Sequence, residues 1–274
     1  MEYLAPHDLG EALDLLARGG VTPVAGGTDF YPALPPGGAR ESLLDLTRID
    51  GLRGVSRADQ GWRIGAATRW SDILHADLPP AFDGLKSAAR QVGSVQIQNA
   101  GTVGGNIVNA SPAADGVPAL LALGAEVELA SRHGRRRVPL GDFITGVRAV
   151  DLAEGEMLLA VHVPAPPEGA VSAFEKLGSR EYLVISIAMV AVVLRVVDGV
   201  VDHAAVAVGA CSPVARRLAV LEREMVGQAP GAVSINARHL DGLAPIDDVR
   251  GSGVYRMSAV ADLIERAIKG ACHG

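Results

Sequence analysis

Two glycine-rich segments carry the residue types that can hold a phosphate group without a lysine. The first is Ala25-Gly26-Gly27-Thr28-Asp29, which follows a short apolar run, and the second is Gly101-Thr102-Val103-Gly104-Gly105-Asn106. Paired glycines allow a positive φ and a close backbone approach, so that successive amides can form a concave anion site. Thr28, Thr102 and Asn106 add side-chain hydrogen-bond donors. The residue types therefore indicate a site for the diphosphate of a dinucleotide.

Ordinary tight turns remain an alternative interpretation of both segments. Neither segment continues as Gly-Lys-Ser/Thr, as a P-loop would, and neither has the GxGxxG spacing of a Rossmann turn. Charge-assisted hydrogen bonds contribute about 1.5–3 kcal/mol each, so a few of them can hold a pyrophosphate. That possibility matters here because the only lysines are Lys86, Lys176 and Lys269.

The cysteines and histidines do not predict a metal or redox site. Cys211 and Cys272 are the only thiols, they form no CxxC pair, and an iron–sulfur cluster usually takes about four. The 7 histidines show no ligand spacing, so core or surface roles are expected for them. A disulfide between the two cysteines has no support in the sequence.

Periodicity predicts the elements that position the glycine segments. Residues 8–19 combine an N-capping Asp8 with an apolar stripe, which indicates a helix ended by Gly19-Gly20. The Pro-rich stretch 164–169 is the best candidate for a domain boundary. Helices are also predicted at 82–93, 112–124, 214–225 and 254–269, with a helix start at 68–73, and strands at 21–25, 43–47, 62–66, 125–130, 157–163, 187–197 and 203–210.

Composition and charge exclude several classes of protein. The chain has 274 residues, 49% of them apolar, so it can bury a sizeable core and is not intrinsically disordered. Its net charge of −6 argues against nucleic-acid binding, and the basic cluster Arg135-Arg136-Arg137 is interpreted as a solvated strand edge. Because no signal peptide or run of about 18 apolar residues is seen, we expect no membrane span and a cytoplasmic location.

Several motifs together resemble the FAD-binding subunit of the molybdenum hydroxylases, the family of xanthine dehydrogenase, aldehyde oxidoreductase and aerobic carbon monoxide dehydrogenase. The resemblance extends in register along nearly the whole chain. Besides the two glycine segments it rests on Ile64-Gly65-Ala66, Gln96 to Ala100, Ser111 to Asp115, Leu120 to Ala125, Lys176 to Arg180, Gly209 to Arg217 and Ile246 to Arg256.

The resemblance implies an α+β protein with a vanillyl-alcohol-oxidase-type FAD-binding fold. We expect an FAD-binding domain over 1–167, with subdomains of about 1–56 and 57–167, and a small α+β domain of the carbon monoxide dehydrogenase flavoprotein type over 170–274. It further implies a complex with a molybdopterin-binding large subunit and a small subunit carrying [2Fe–2S] clusters, organised as a dimer of heterotrimers. Electrons would pass from the clusters through FAD to NAD or another acceptor.

The resemblance also assigns individual residues to the cofactor. The two glycine segments would wrap the diphosphate, Asp115 would lie near the ribose or phosphates, and Leu158 would pack on the flavin edge. Lys176 would approach the isoalloxazine, and Tyr182 could stack near the ring. No residue is predicted to be catalytic and none to bind metal. The predicted FAD contacts are Ala25, Gly26, Gly27, Thr28, Asp29, Phe30, Thr102, Val103, Gly104, Gly105, Asn106, Asp115, Leu158, Lys176 and Tyr182.

Two residues depart from the family pattern. Val92 stands where some relatives carry an aromatic residue near the flavin, and Gln98 stands where arginine is common.

A standalone FAD-dependent oxidoreductase of the same fold is one alternative function, but no His or Cys falls within the flavin motifs to act as a base or attachment point. A scaffold that has lost flavin is the other, and the intact glycine pairs argue against it.

Overall fold

The N-terminal part of the chain is a small parallel sheet covered by one helix. The computed structural model describes residues 2–181 and 183–273, with no side-chain description for His273. Asp8 caps the helix, since its carboxylate accepts a 2.9 Å hydrogen bond from the Glu11 amide. The elements are β1 (Tyr3–Leu4), α1 (Leu9–Arg18), β2 (Val21–Val24) and β3 (Ser42–Asp45). The strands pair in the order β1-β3-β2.

The second part is a five-stranded antiparallel sheet in the order β4-β5-β10-β6-β7, together with a cluster of short helices. Met157 and Leu159 of its central strand pack into the core of the N-terminal sheet, which joins the two parts. Its strands are β4 (Val55–Ala58), β5 (Gly61–Gly65), β6 (Glu126–Ser131), β7 (Gly134–Pro139) and β10 (Met157–Pro164), with a small hairpin of β8 (Ile144–Gly146) and β9 (Ala149–Val150). Its helices are α2 (Trp70–His75), α3 (Asp83–Gln91), α4 (Val95–Ala100), α5 (Val103–Val108), α6 (Gly116–Ala122) and α7 (Leu140–Phe143).

The C-terminal part is a four-stranded antiparallel sheet whose middle strands are buried on both faces. Along β12, Val190 and Val192 pack in a core with α10, while Ala191 and Val193 pack in the core of the second part. This double burial explains the continuous apolar run in the sequence. Its elements are β11 (Val171–Leu177), β12 (Ala188–Val197), β13 (Val200–Gly209), β14 (Arg216–Arg217), α8 (Ala219–Met225), α9 (Ala237–Leu240) and α10 (Gly253–His273).

The predicted boundaries are corrected in three places. The helix predicted over 112–124 covers only Gly116–Ala122, and the one predicted over 214–225 begins at Ala219 because Arg216–Arg217 pairs with β13. The strand predicted from 203 begins at Val200, immediately after a tight turn in which Asp198 and Gly199 both have positive φ. Elements that the sequence did not predict are β1, β4, β8, β9, β11, β14, α4, α5, α7 and α9.

No helix in the described part of the chain is both long and apolar enough to cross a bilayer. Within the same residues, no group of three or more His, Cys, Asp or Glu side chains is arranged to hold a metal ion.

Candidate functional site

A cavity of about 590 Å³ lies where the N-terminal sheet, the short helices and β10 meet. Its size falls within the range of about 300–1,000 Å³ that is usual for small-molecule sites. Three stretches of the chain contribute most of its walls: 23–34, 102–109 and 152–158. The predicted contacts that line it are Ala25, Gly26, Gly27, Thr28, Asp29, Phe30, Thr102, Gly104, Gly105, Asn106 and Leu158.

The first glycine segment is a turn that needs both of its glycines. Gly27 has a φ of +68°, and a Cβ there would lie 2.4 Å from the Tyr31 ring. A Cβ on Gly26 would lie 2.0 Å from the Ala100 carbonyl oxygen, so only glycine fits at this position. Within the described residues, the amides of 26–29 donate to no protein acceptor. This turn therefore presents free N–H groups at the cavity wall.

The second segment is a helix and not the turn that the sequence analysis expected. Gly104 and Gly105 lie in the first turn of α5, and neither has a positive φ. The Gly104 amide donates to the Ala66 carbonyl at 2.9 Å, and the Gly105 amide donates to Thr102 Oγ1 at 3.1 Å. These amides are therefore occupied, and the prediction of a second backbone anion nest is wrong.

Gly104 instead permits close packing of α5 against the end of β5. A Cβ on Gly104 would lie 2.7 Å from the Ala66 carbonyl oxygen. The helix leaves side chains to face the cavity, above all those of Thr102 and Asn106. Val103 points away from the cavity and is fully buried in the core. Helical periodicity explains this split, because Val103 and Ile107 lie on one face, and Thr102, Gly105 and Asn106 on another.

The polar groups of the cavity fit a dinucleotide. The Asn106 side-chain oxygen is buried and has no hydrogen-bond partner in the structure. Buried polar atoms are nearly always paired, so this oxygen indicates a ligand hydrogen bond, and a rotated amide would offer a donor at the same point. The Thr28 hydroxyl has no hydrogen-bond partner in the described chain. Trp70 and Ile97 form an apolar part of the cavity wall, against which aromatic rings can pack.

Two predicted contacts lie outside the cavity and bind each other. The Lys176 ammonium donates to Asp115 Oδ2 at 2.8 Å and to the Gln91 carbonyl at 3.2 Å. The Ser186 hydroxyl donates to the other Asp115 oxygen at 2.5 Å. Burial raises the pKa of the Asp115 carboxyl, and Lys176 and Ser186 oppose that rise. The pair ties the start of α6 to β11, and Ser186 adds the segment that precedes β12. A flavin contact for Asp115 or Lys176 stays a prediction. Tyr182 lies outside the described residues.

Several residues that line the cavity were not predicted from the sequence. Asn109 bridges the two sides, since its amide donates to Asp29 Oδ2 at 3.0 Å and its carbonyl accepts from Arg148 at 3.2 Å. Glu156 lies at the wall and binds Arg136. A helical interpretation of 102–109 would have found Asn109, but no local signal joins Glu156 to Arg136.

The two departures from the family pattern have different positions. Val92 lines the cavity, so the missing aromatic ring changes the wall itself. Gln98 is buried elsewhere, and its side-chain amide donates to the Arg90 carbonyl at 2.8 Å. Gln98 therefore holds the end of α3 and does not shape the cavity.

Comparison with known proteins decides the family. Residues 1–166 match the family described as "FAD binding domain in molybdopterin dehydrogenase", and residues 172–271 match "CO dehydrogenase flavoprotein C-terminal domain". The chain belongs to the FAD-binding subunits of the molybdopterin dehydrogenases. Its predicted family, its α+β fold class and its FAD cofactor are thereby confirmed, and the subunits of this family are components of oxidoreductases.

Individual members of this family match along almost their whole length. The carbon monoxide dehydrogenase medium chain of Hydrogenophaga pseudoflava is 31% identical, over 98% of this chain and 96% of that one. The xanthine dehydrogenase FAD-binding subunit of Escherichia coli O157:H7 is 30% identical, over 97% and 94%. The solved carbon monoxide dehydrogenase of Oligotropha carboxidovorans superposes with a TM-score of 0.90 at 28% identity, over 99% of this chain and 97% of that one.

Proposed function

We propose that this chain is the FAD-carrying subunit of a heteromeric molybdenum hydroxylase. In the proposed complex a large subunit holds molybdopterin and a small subunit holds [2Fe–2S] clusters. Electrons pass from the clusters through FAD to NAD or another acceptor. The observation that carries the proposal is the cavity itself, because it brings free amides of the first glycine segment opposite side-chain donors of the second.

The chain's own residues divide the work of holding FAD. The amides of Gly26 to Asp29 and the Thr28 hydroxyl bind the diphosphate, and FAD supplies the hydrogen-bond partner that the buried Asn106 side chain lacks. Leu158 and Val92 pack against the apolar parts of the cofactor. When bound, FAD supplies the redox chemistry, and it can take up two electrons and deliver them to an acceptor.

The remaining parts of the proposal concern assembly. We place the FAD-binding domain at 1–167, with subdomains of about 1–56 and 57–167, and the second domain at 170–274. The complex is a dimer of heterotrimers in the cytoplasm. The known relatives named as medium chains or FAD-binding subunits support a multisubunit arrangement.

Coexpression with the two partner chains tests the assignment. We expect a stable complex that contains one FAD per copy of this chain and whose flavin is reduced when the organic substrate is added. A complex without FAD would contradict the cofactor site. Reduction of the flavin by an organic substrate in the absence of the partner chains would instead identify a standalone oxidoreductase.

A further inference from the structure

The charges that line the cavity are of the wrong sign for its ligand. In the described part of the chain, Asp29 and Glu156 are the only ionisable side chains of the lining, and no Lys, Arg or His is among them. The diphosphate of FAD adds about two further negative charges at neutral pH. Like charges repel strongly where water is scarce. A cation placed behind the lining would reduce this repulsion.

Arg136, on β7, is placed to supply that charge. Its Nε donates to Glu156 Oε1 at 2.8 Å and its Nη2 to Oε2 at 2.7 Å, so the pair is bidentate. Its Nη1 also donates to Asp151 Oδ2 at 2.7 Å. The Ala153 amide donates to Glu156 Oε2 at 2.8 Å. All four hydrogen bonds hold the loop that leads into β10, the strand that lines the cavity.

Hydrogen bonding keeps this pair charged against the opposing effect of burial. The Glu156 side chain is only 11% exposed, against 37% for Arg136. The Arg136 guanidinium lowers the pKa of the Glu156 carboxyl, and the two carboxylates raise the pKa of Arg136. Both groups are therefore ionised at neutral pH, and removal of one leaves the charge of the other uncompensated.

We propose that Arg136 is a positioning residue of the FAD site, which neutralises the Glu156 carboxylate so that the anionic cofactor meets no unpaired negative charge at that wall. The inference rests on the proposed function, because it takes FAD as the occupant of the cavity. Arg136 does not line the cavity, so it acts on the cofactor only through Glu156.

The neighbouring Arg135 provides a matched control. Successive side chains of a strand point to opposite faces, and Arg135 pairs with Glu128 at 3.0 Å. Glu128 also contacts His162 Nε2 at 2.7 Å. Neither Glu128 nor Arg135 lines the cavity. A charge removed at 135 therefore tests the same strand and the same chemistry without touching the cavity wall.

The experiment measures the Kd of FAD by fluorescence titration of the deflavinated complex containing each variant. We expect Arg136→Gln to raise the Kd about tenfold, as the interaction of separated charges in a partly hydrated site would give. Glu156→Gln combined with Arg136→Gln removes both charges and is expected to return the Kd to within about twofold of wild type. Added salt should also restore binding to the single variant, because it screens the repulsion. Arg135→Gln should bind FAD as wild type does.

Two results would overturn the inference. One is an unchanged Kd in Arg136→Gln. The other is a double variant that binds as weakly as Arg136→Gln, since Arg136 would then act by pinning the loop. If Arg136→Gln does not assemble, Arg136→Lys replaces it. We expect this variant to bind FAD with a Kd near that of wild type, because the charge is kept. A tenfold rise in its Kd would count against the inference. Failure of wild-type protein to bind FAD would instead reject the proposed function.

Discussion

The cavity and the Asp115–Lys176–Ser186 cluster are both polar, but they treat their polar groups in opposite ways. In the cluster every charged group has a partner, with bonds of 2.8 Å and 2.5 Å to the two carboxylate oxygens. In the cavity the Asn106 oxygen and the amides of the first glycine turn have none within the described chain. Polar groups that serve the fold are satisfied by the fold, whereas those that serve a ligand are left open.

The largest fall in folding stability is expected when the Asp115–Lys176–Ser186 cluster loses one of its charged members. Lys176→Met leaves the Asp115 carboxylate buried without its cation, and such losses typically cost about 3–5 kcal/mol of folding stability. We expect a marked fall in Tm, which is partly recovered by adding Asp115→Asn. A changed flavin reduction potential with unchanged Tm would show that Lys176 contacts the flavin.

Steric substitutions in the two glycine segments should remove FAD for different reasons. Gly27→Val places a branched side chain at positive φ, which costs about 1–2 kcal/mol, and brings it against Tyr31. Gly104→Val forces α5 away from Ala66 and so also disturbs the core. Both purified complexes should lack the flavin absorbance at about 450 nm, but only Gly104→Val should lower the Tm of the deflavinated protein strongly. Flavin retained in both would reject the site.

Asn106→Ala tests the unpaired side-chain amide of the cavity directly, because the substitution removes this group and does not block access to it. We expect the FAD Kd to rise about tenfold, in line with the loss of a hydrogen bond worth about 1–3 kcal/mol. The deflavinated protein should be no less stable than wild type, since a buried unpaired oxygen has gone. Asn99→Ala, at an exposed position of α4, is the control. A fall in stability without weaker binding would place Asn106 with the structural residues.

The two threonines should show the smallest effects and separate cleanly. Thr102 caps α5 through the Gly105 amide, so Thr102→Val is expected to cost about 1 kcal/mol of stability as well as some FAD affinity. Thr28 makes no such bond in the described chain, and Thr28→Val should weaken FAD binding a fewfold without changing the denaturant midpoint. Equal midpoints for both variants would contradict the assigned cap.

Local patterns were sufficient for much of the fold. The apolar runs at 125–130 and 187–197 predicted strands within one residue of those observed, because the burial pattern of a strand is a local property. Helix lengths were less predictable. Arg216–Arg217 leaves its expected helix only because β13 offers it a strand partner.

The sequence by itself determined the residue types of the site: the first glycine pair, the threonines and Asn106, whose hydrogen-bonding groups suit a diphosphate when they face the cavity. The packing of α5 decided which of them face the cavity, with Val103 in the core and Asn106 and Asn109 at the cavity wall. It also decided that Asp115 meets Lys176 and that Glu156 meets Arg136. Such pairs depend on strand register and long-range packing, which no local spacing encodes.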